Sequence, residues 1–420
     1  MLFVSQSTAQ AGQTRGRGRQ HVRVTGHARA WLVALVLFAA SAVPAQAASF
    51  TLIAQTGAGS AYTSLTAPDG RVNPVIADNG QVAFWAQTAT LSQQIVRSDG
   101  TSSILIREAL SGAPEQLGTR GLAINATGQV AYATTSGFSS GTLYVGDGNT
   151  NTVIATAPNT WSFSDLSIRA DGGVVGYYSS PTSDSVRLWL PGSSTTIVDA
   201  ATSPYYTFWD TDVSATGQYV SFLAQPDDPN LPLAVARVEL VGGVPGPVTD
   251  VSSGLGLTNV GAQSINDSGT IAFVGFTSAD SLLYTAAVGA APTQLLSASA
   301  AGLTSIDGVS IDNAGNVLYL ANSGTASAAL YDTTRGRLIG VGDPLFGAQV
   351  QDLAIHPTGA LNNNGQFAFW AKLSDGREVV ARADLLSTGT LAVPEPGTVG
   401  CLALALLASW LGVARGRRVN

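Results

Sequence analysis

The stretch Ile76-Ala-Asp-Asn-Gly-Gln-Val-Ala-Phe84 decides the fold, because it returns six more times along the chain. The copies are Ile124-Asn-Ala-Thr-Gly-Gln-Val-Ala-Tyr132, Ile168-Arg-Ala-Asp-Gly-Gly-Val-Val-Gly-Tyr177 and Val213-Ser-Ala-Thr-Gly-Gln-Tyr-Val-Ser-Phe222. Then come Ile265-Asn-Asp-Ser-Gly-Thr-Ile-Ala-Phe273, Ile311-Asp-Asn-Ala-Gly-Asn-Val-Leu-Tyr319 and Leu361-Asn-Asn-Asn-Gly-Gln-Phe-Ala-Phe369. Their glycines, Gly80, Gly128, Gly172, Gly217, Gly269, Gly315 and Gly365, are spaced 48, 44, 45, 52, 46 and 50 residues apart. A repeat of about 40–50 residues is the period of a four-stranded propeller blade.

Each copy carries its own local mechanism. An apolar residue ends one strand, Asn or Asp opens a tight turn, and Gly takes the left-handed position that closes a short hairpin. The next strand is apolar on both faces (Val82 and Phe84 against Ala83 and Trp85), as expected of a sheet stacked between other sheets. The aromatic ending each copy is expected to wedge between neighbouring sheets. The third and fourth copies hold one extra residue, which reads as a β-bulge. Two more strands follow each motif: in the first copy Gln94–Arg97 meets Ser103–Arg107 across the Asp99-Gly100 hairpin signal.

Six fourth strands are legible: Ser103–Ile106, Thr152–Ala155, Thr196–Asp199, Pro247–Asp250, Gln294–Ser297 and Arg337–Gly340. The seventh unit stops after its third strand, Glu378–Arg382, while an unassigned strand, Phe50–Ala54, stands near the N-terminus. Added to the last blade, it would close the ring and remove exposed edges. The expectation is therefore an all-β, seven-bladed β-propeller over residues 48–388, its last blade completed by the N-terminal strand. An open β-solenoid or two β-sandwiches are the alternatives.

The repeats resemble those of a bacterial surface family described by tandem N-x-x-G-x-x-A-F units, with Asn125, Asn266 and Asn362 matching its Asn. Asp312 departs conservatively, and Ala77, Arg169 and Ser214 depart outright. The resemblance implies surface display and no established activity.

The ends carry different information. Residues 1–47 read as a signal peptide: an Arg-bearing region, the apolar run Trp31–Ala39, and a small-residue cleavage site at Ala45-Gln-Ala47. At the other end, a Pro-containing linker (389–398) bears Pro394-Glu395-Pro396. It leads into sixteen largely apolar residues, 399–414, and a basic tail, 415–420, with Arg415, Arg417 and Arg418. A helix of that length is a short transmembrane span of about 24 Å, and the arginines would keep the tail cytoplasmic. This tripartite end resembles the PEP-CTERM sorting signal. The resemblance implies recognition and cleavage by an exosortase-type transpeptidase in a Gram-negative bacterium that makes extracellular polysaccharide, so the expected destination is the cell surface or the extracellular matrix.

Composition limits the chemistry. The 420 residues are 45% hydrophobic and 11% charged, with a formal charge of −7. Between the two terminal segments lie 26 acidic and 12 basic residues, a balance that repels nucleic acid. One Cys (Cys401) and three His (His21, His27, His356) leave little material for thiol, metal or triad catalysis, and no cofactor is expected. His356, in Ile355-His-Pro-Thr358, reads as an isolated loop histidine. Asp147-Gly-Asn-Thr-Asn151 lacks the sixth-position Gly and distal Glu of a calcium loop and reads as a hairpin turn.

The remaining candidates sit in loops entering the innermost strands. They are Asp165 near Trp161, Asp210 and Asp212 after Trp209, Asp307 and Asp352. Carboxylates accept hydroxyl hydrogens and aromatic faces stack on sugar C–H patches, a combination suited to polysaccharide. The leading expectation is an exported binding or structural module without enzymatic activity. The alternatives are a glycosidase or lyase using these acids at the channel mouth, and a calcium-stabilised adhesin.

Overall fold

The computed structural model describes residues 48–67, 74–136, 140–157, 163–180, 182–324 and 327–385. The expected signal peptide with Ala45 and Ala47, the linker, the apolar segment, the sorting residues and Trp161 lie outside them. Among the described residues no helix is long and apolar enough to cross a membrane.

The strands form seven antiparallel sheets in sequence order. Within each blade the chain steps outward from an inner strand, and each motif turn joins the first strand to the second. Blade 2, for example, runs through Glu115–Ile124, Val130–Ser136, Ser140–Gly146 and Asn151–Ala157. Blade 1 builds its inner strand from two short pieces, Tyr62–Ser64 and Val75–Ile76, both paired to Val82–Thr88. The ring is a seven-bladed propeller.

Its last blade is sewn from both ends of the ring. Strand Ser49–Gln55 lies outermost in blade 7, antiparallel to Glu378–Asp384, with Ser49 opposite Asp384 and Gln55 opposite Val379. It even carries the irregularity of the other outer strands. The ladder skips Ile53 here, as it skips Ile106, Ile154 and Ile197 in blades 1 to 3, and all four side chains turn into the core. A clasp continues into blade 1: the Thr56 N–H donates to the Glu378 carbonyl (2.9 Å), and the Leu65 N–H to the Glu378 carboxylate (2.6 Å).

The core is divided into seven apolar clusters, one at each junction between neighbouring blades. Six motif aromatics, Phe84, Tyr132, Phe222, Phe273, Tyr319 and Phe369, are buried against the preceding blade. Tyr177 is the exception, and it corrects the reading of the extra residue. In blade 4 the added residue is absorbed by a longer turn, Ser214 to Tyr219, so Phe222 keeps its face. In blade 3 the turn has ordinary length, with Ile168 opposite Val174, and the second strand pairs with the third without a break. Nothing takes up the extra residue, and a one-residue offset turns a side chain to the other face. Tyr177 therefore packs, half-buried, toward blade 4, and Gly176 holds the usual aromatic position. There Leu166 and Trp189 fill the space: a Cβ on Gly176 would meet them at 2.8 and 3.4 Å.

Candidate functional site

All seven blades contribute the ends of their inner strands and the starts of their motif turns to one axial cavity of about 140 Å³. Two layers of side chains build it.

The deeper layer is set by the residue before the motif: Val75, Ala123, Ser167, Asp212 and Ser264 line the cavity, and Ser310 and Ala360 hold the equivalent positions in blades 6 and 7. Asp212, 6% exposed, is the one acid among them, and its carboxylate is fully engaged. It accepts from the Ser167 hydroxyl of blade 3 (3.0 Å) and the Ser264 hydroxyl of blade 5 (3.1 Å). It also accepts from the Val213 and Ile265 N–H groups (2.9 and 3.0 Å). Burial pushes its pKa up to about 7 against the pull of these four donors.

Facing this layer, the loop Ile355–Leu361 of blade 7 reaches across the axis. The Ser310 hydroxyl donates to the Thr358 carbonyl at 3.5 Å, and the Ile76 N–H donates to the Gly359 carbonyl at 2.9 Å. His356, which the sequence presents as an isolated loop residue, is 7% exposed and lines the cavity. Its Nδ1 accepts from the Thr358 and Gly359 N–H groups, both at 3.2 Å. Two backbone donors at Nδ1 fix the neutral tautomer with hydrogen on Nε2. Burial holds the imidazole pKa down at about 4.

The outer layer is the rim, formed by the second residue of each motif turn: Asp78, Ala126, Ala170, Ala215, Asp267, Asn313 and Asn363. It divides into an alanine arc on blades 2, 3 and 4 and a polar arc on blades 5, 6, 7 and 1. Along the polar arc, Asn363 donates to both Asp78 oxygens through its backbone and side-chain N–H groups (2.9 and 3.0 Å). The Asn313 side-chain amide donates to one Asp267 oxygen at 2.7 Å and accepts from the Asp267 N–H at 2.8 Å, and the Thr216 N–H donates to the other Asp267 oxygen at 2.9 Å.

Motif asparagines stitch blade to blade. Asn125, Asn266 and Asn362 each donate to the main-chain carbonyl of the next motif, at Arg169, Asp312 and Ala77 (3.1, 3.0 and 2.8 Å). Where the motif lacks Asn, other groups take over: Asn79 to the Ala126 carbonyl, the Ala170 N–H to the Ala215 carbonyl, Thr216 to Asp267, and the Asn313 N–H to Asn363. All seven junctions are bonded.

Of Asp165, Asp210, Asp212 and Asp307, Asp212 alone lines this cavity. Asp165 and Asp210 sit on bulges of the inner strands with positive φ of 50° and 47°. Their carbonyls accept from Thr211 and Gln263 of the following blade. Asp307 is exposed and accepts from Ser305 and Asn322. Asp352, also exposed, accepts from the neighbouring Leu353 N–H at 2.9 Å. Trp209 is half-buried against the core between blades 4 and 5. Asp147 caps a hairpin, accepting from the Asn149 and Thr150 N–H groups (2.8 and 2.7 Å). Among the described residues no group of three or more His, Cys, Asp or Glu could hold a metal ion. The rim residues Asp78, Asp267, Asn313 and Asn363 are absent from the sequence candidates. Their signal was present, since each stands directly after the motif's first turn position.

No protein-family model matches the chain, and no curated protein matches it. Solved structures do. Prolyl oligopeptidase B from Galerina marginata is similar over 76% of this chain and 50% of its own, with a TM-score of 0.54 and 12% identity. The likeness is one of fold. A puromycin hydrolase gives 0.53 and 13% over 76% and 54%. A Mycobacterium tuberculosis puromycin-hydrolyzing peptidase gives 0.51 and 11% over 76% and 52%. The match spans about half the length of those proteins.

Proposed function

We propose that this chain is an exported propeller, displayed at the cell surface or released into the extracellular matrix, where it works as a binding or structural module. In this reading an exosortase-type transpeptidase sorts it through Pro394-Glu395-Pro396, after the apolar segment and Arg415, Arg417 and Arg418 have held it in the membrane. The observation that carries the reading is the extent of the ring. The closing strand begins at Ser49, two residues past Ala47, and the last ring strand ends at Asp384, ten residues before Pro394. Both processing points lie outside the folded ring, so a cut at either leaves its seven sheets whole.

The competing reading, a glycosidase or lyase, calls for two carboxyl groups about 5 to 9 Å apart in one pocket. Asp165, Asp210 and Asp307 do not share the cavity with Asp212. Asp78 and Asp267 do, but their oxygens, like those of Asp212, already accept from neighbouring turns. The binding-module reading is the better supported.

Removal of residues 394–420 tests it. Surface-accessible protein is expected to disappear from whole-cell protease shaving and accumulate in the periplasm, and the mature N-terminus is expected at Ala48. Unchanged display of the truncated chain would overturn the sorting proposal.

A further inference from the structure

The rim has the composition of a polyol site, and the cavity behind it is lined by a donor with no acceptor among the described residues. His356 is buried and lines the cavity; its Nδ1 is committed, and among the described residues no group accepts from its Nε2–H. At the rim, each oxygen of Asp78 and Asp267 accepts one hydrogen bond from a neighbouring turn. A carboxylate oxygen has two acceptor sites, so each keeps one for a ligand, already oriented by its Asn or Thr neighbour. Opposite these acceptors stand the methyl groups of Ala126, Ala170 and Ala215, all exposed. One side of the mouth thus accepts hydroxyl hydrogens, the other offers apolar contact for C–H groups, and the floor donates a hydrogen bond.

We propose that this mouth binds the terminal sugar unit of a neutral glycan. The inference rests on the binding-module reading above and names its site and ligand class. Charge selects against anionic glycans: two carboxylates flank the entrance and the ring is acidic as a whole. Size selects for a chain end. At roughly 30 Å³ per water, the cavity volume corresponds to only a few water molecules, and His356, Thr358 and Gly359 of the Ile355–Leu361 loop take up part of its wall. The glycan enters by its end, sets hydroxyls on Asp78 and Asp267, and gives one oxygen to the His356 Nε2–H.

His356 is the only histidine of the ring, and its signal is told from those of His21 and His27 by its loss in His356→Gln. Full-length protein with ¹⁵N-labelled imidazoles would be titrated with neutral glucan, mannan and galactan oligosaccharides, and with an oligouronate of equal length. At least one neutral series is expected to shift the His356 Nε2 signal, with the oligouronate binding at least tenfold more weakly. The double substitution Ala126→Phe and Ala215→Phe fills the methyl side of the mouth at exposed positions. It is expected to weaken binding at least tenfold with an unchanged melting temperature and unchanged surface display. No shift with any neutral series, equal binding of the oligouronate, or full binding by the double variant would each overturn the proposal. Display is read separately, so a displayed wild-type chain that binds no neutral glycan sinks this inference alone.

Discussion

Ile53 and Ile154 hold the same place in two blades: each is the residue skipped by the outer-strand ladder, and they are 7% and 8% exposed. What differs is the chain around them. Ile154 belongs to a blade made from one continuous stretch, whereas Ile53 belongs to a strand brought from the far end of the ring. The likeness teaches that the seventh blade is completed to the same geometry as the others. The difference predicts how each blade fails. Truncation to Ala at either site is expected to cost about 2–4 kcal/mol, the usual range for a buried Ile, seen as similar losses of melting temperature. Local behaviour should separate the variants. In Ile53→Ala, amide exchange across Ser49–Gln55 is expected to accelerate ahead of the rest of the ring, because that strand can peel from one end. In Ile154→Ala the outer strand of blade 2 should exchange with its own blade. Identical exchange patterns would erase the distinction.

The axis offers a second contrast, between two buried groups that titrate in opposite senses. Asp212 ionises at about 7 in the ring against 3.8 ordinarily. The native state therefore holds an extra proton between those values, and stability falls as pH rises from about 4 to about 7. His356 protonates at about 4 against an ordinary 6.5, so the unfolded chain takes up its proton first and stability falls as pH drops from about 6.5 to about 4. Each slope is at most about 1.4 kcal/mol per pH unit, and across the shared window they oppose each other. The wild-type contribution is expected to be nearly flat there. His356→Gln should leave stability declining with pH, and Asp212→Asn should leave it climbing, by about 2 kcal/mol over the window. Urea unfolding at several pH values checks this; slopes of the same sign in both variants would refute it.

The smallest effect distinguishes a packed motif turn from an open one. Gly128 and Gly315 have nearly the same φ, 82° and 84°, but a Cβ on Gly128 would collide with the Arg97 guanidinium, which bonds the Gly128 carbonyl, while Gly315 faces open space. Gly315→Ala is expected to cost about 1 kcal/mol from backbone strain alone. Gly128→Ala should cost about 1 kcal/mol more, and equal melting temperatures would show that Arg97 moves aside freely.

Much of the ring was legible because its signals are local and repeated. Each motif glycine marks a turn by a backbone need that no other residue meets as easily, and seven such marks at one period count the blades. The closing strand was legible by subtraction, since Phe50–Ala54 matched the one strand the seventh unit lacked. The pattern reads a bulge in the third and fourth copies where the structure has a reversed face and a longer turn, because a single residue can enter a turn or invert a face, and pattern alone does not choose. The sequence presents Asp212 as a loop acid among aromatics. Its burial depends on Ser167 and Ser264, which lie about one repeat away on either side and come together only when the blades stack. The role of His356 is hidden for the same reason, since its partners are main-chain groups without a sequence signature.

The covalent break in this ring falls beside itself: Ser49 lies opposite Asp384, and the Leu385 N–H donates to the Gly365 carbonyl at the same edge. A short peptide could join the two ends, and new ones could be opened at an exposed hairpin such as Asp147–Thr150 without moving a strand. Circular permutants cut in this way should fold to the same seven blades. The order of translation is thus a detachable property of the molecule, and the strand that must arrive from afar can be any one of the seven outer strands.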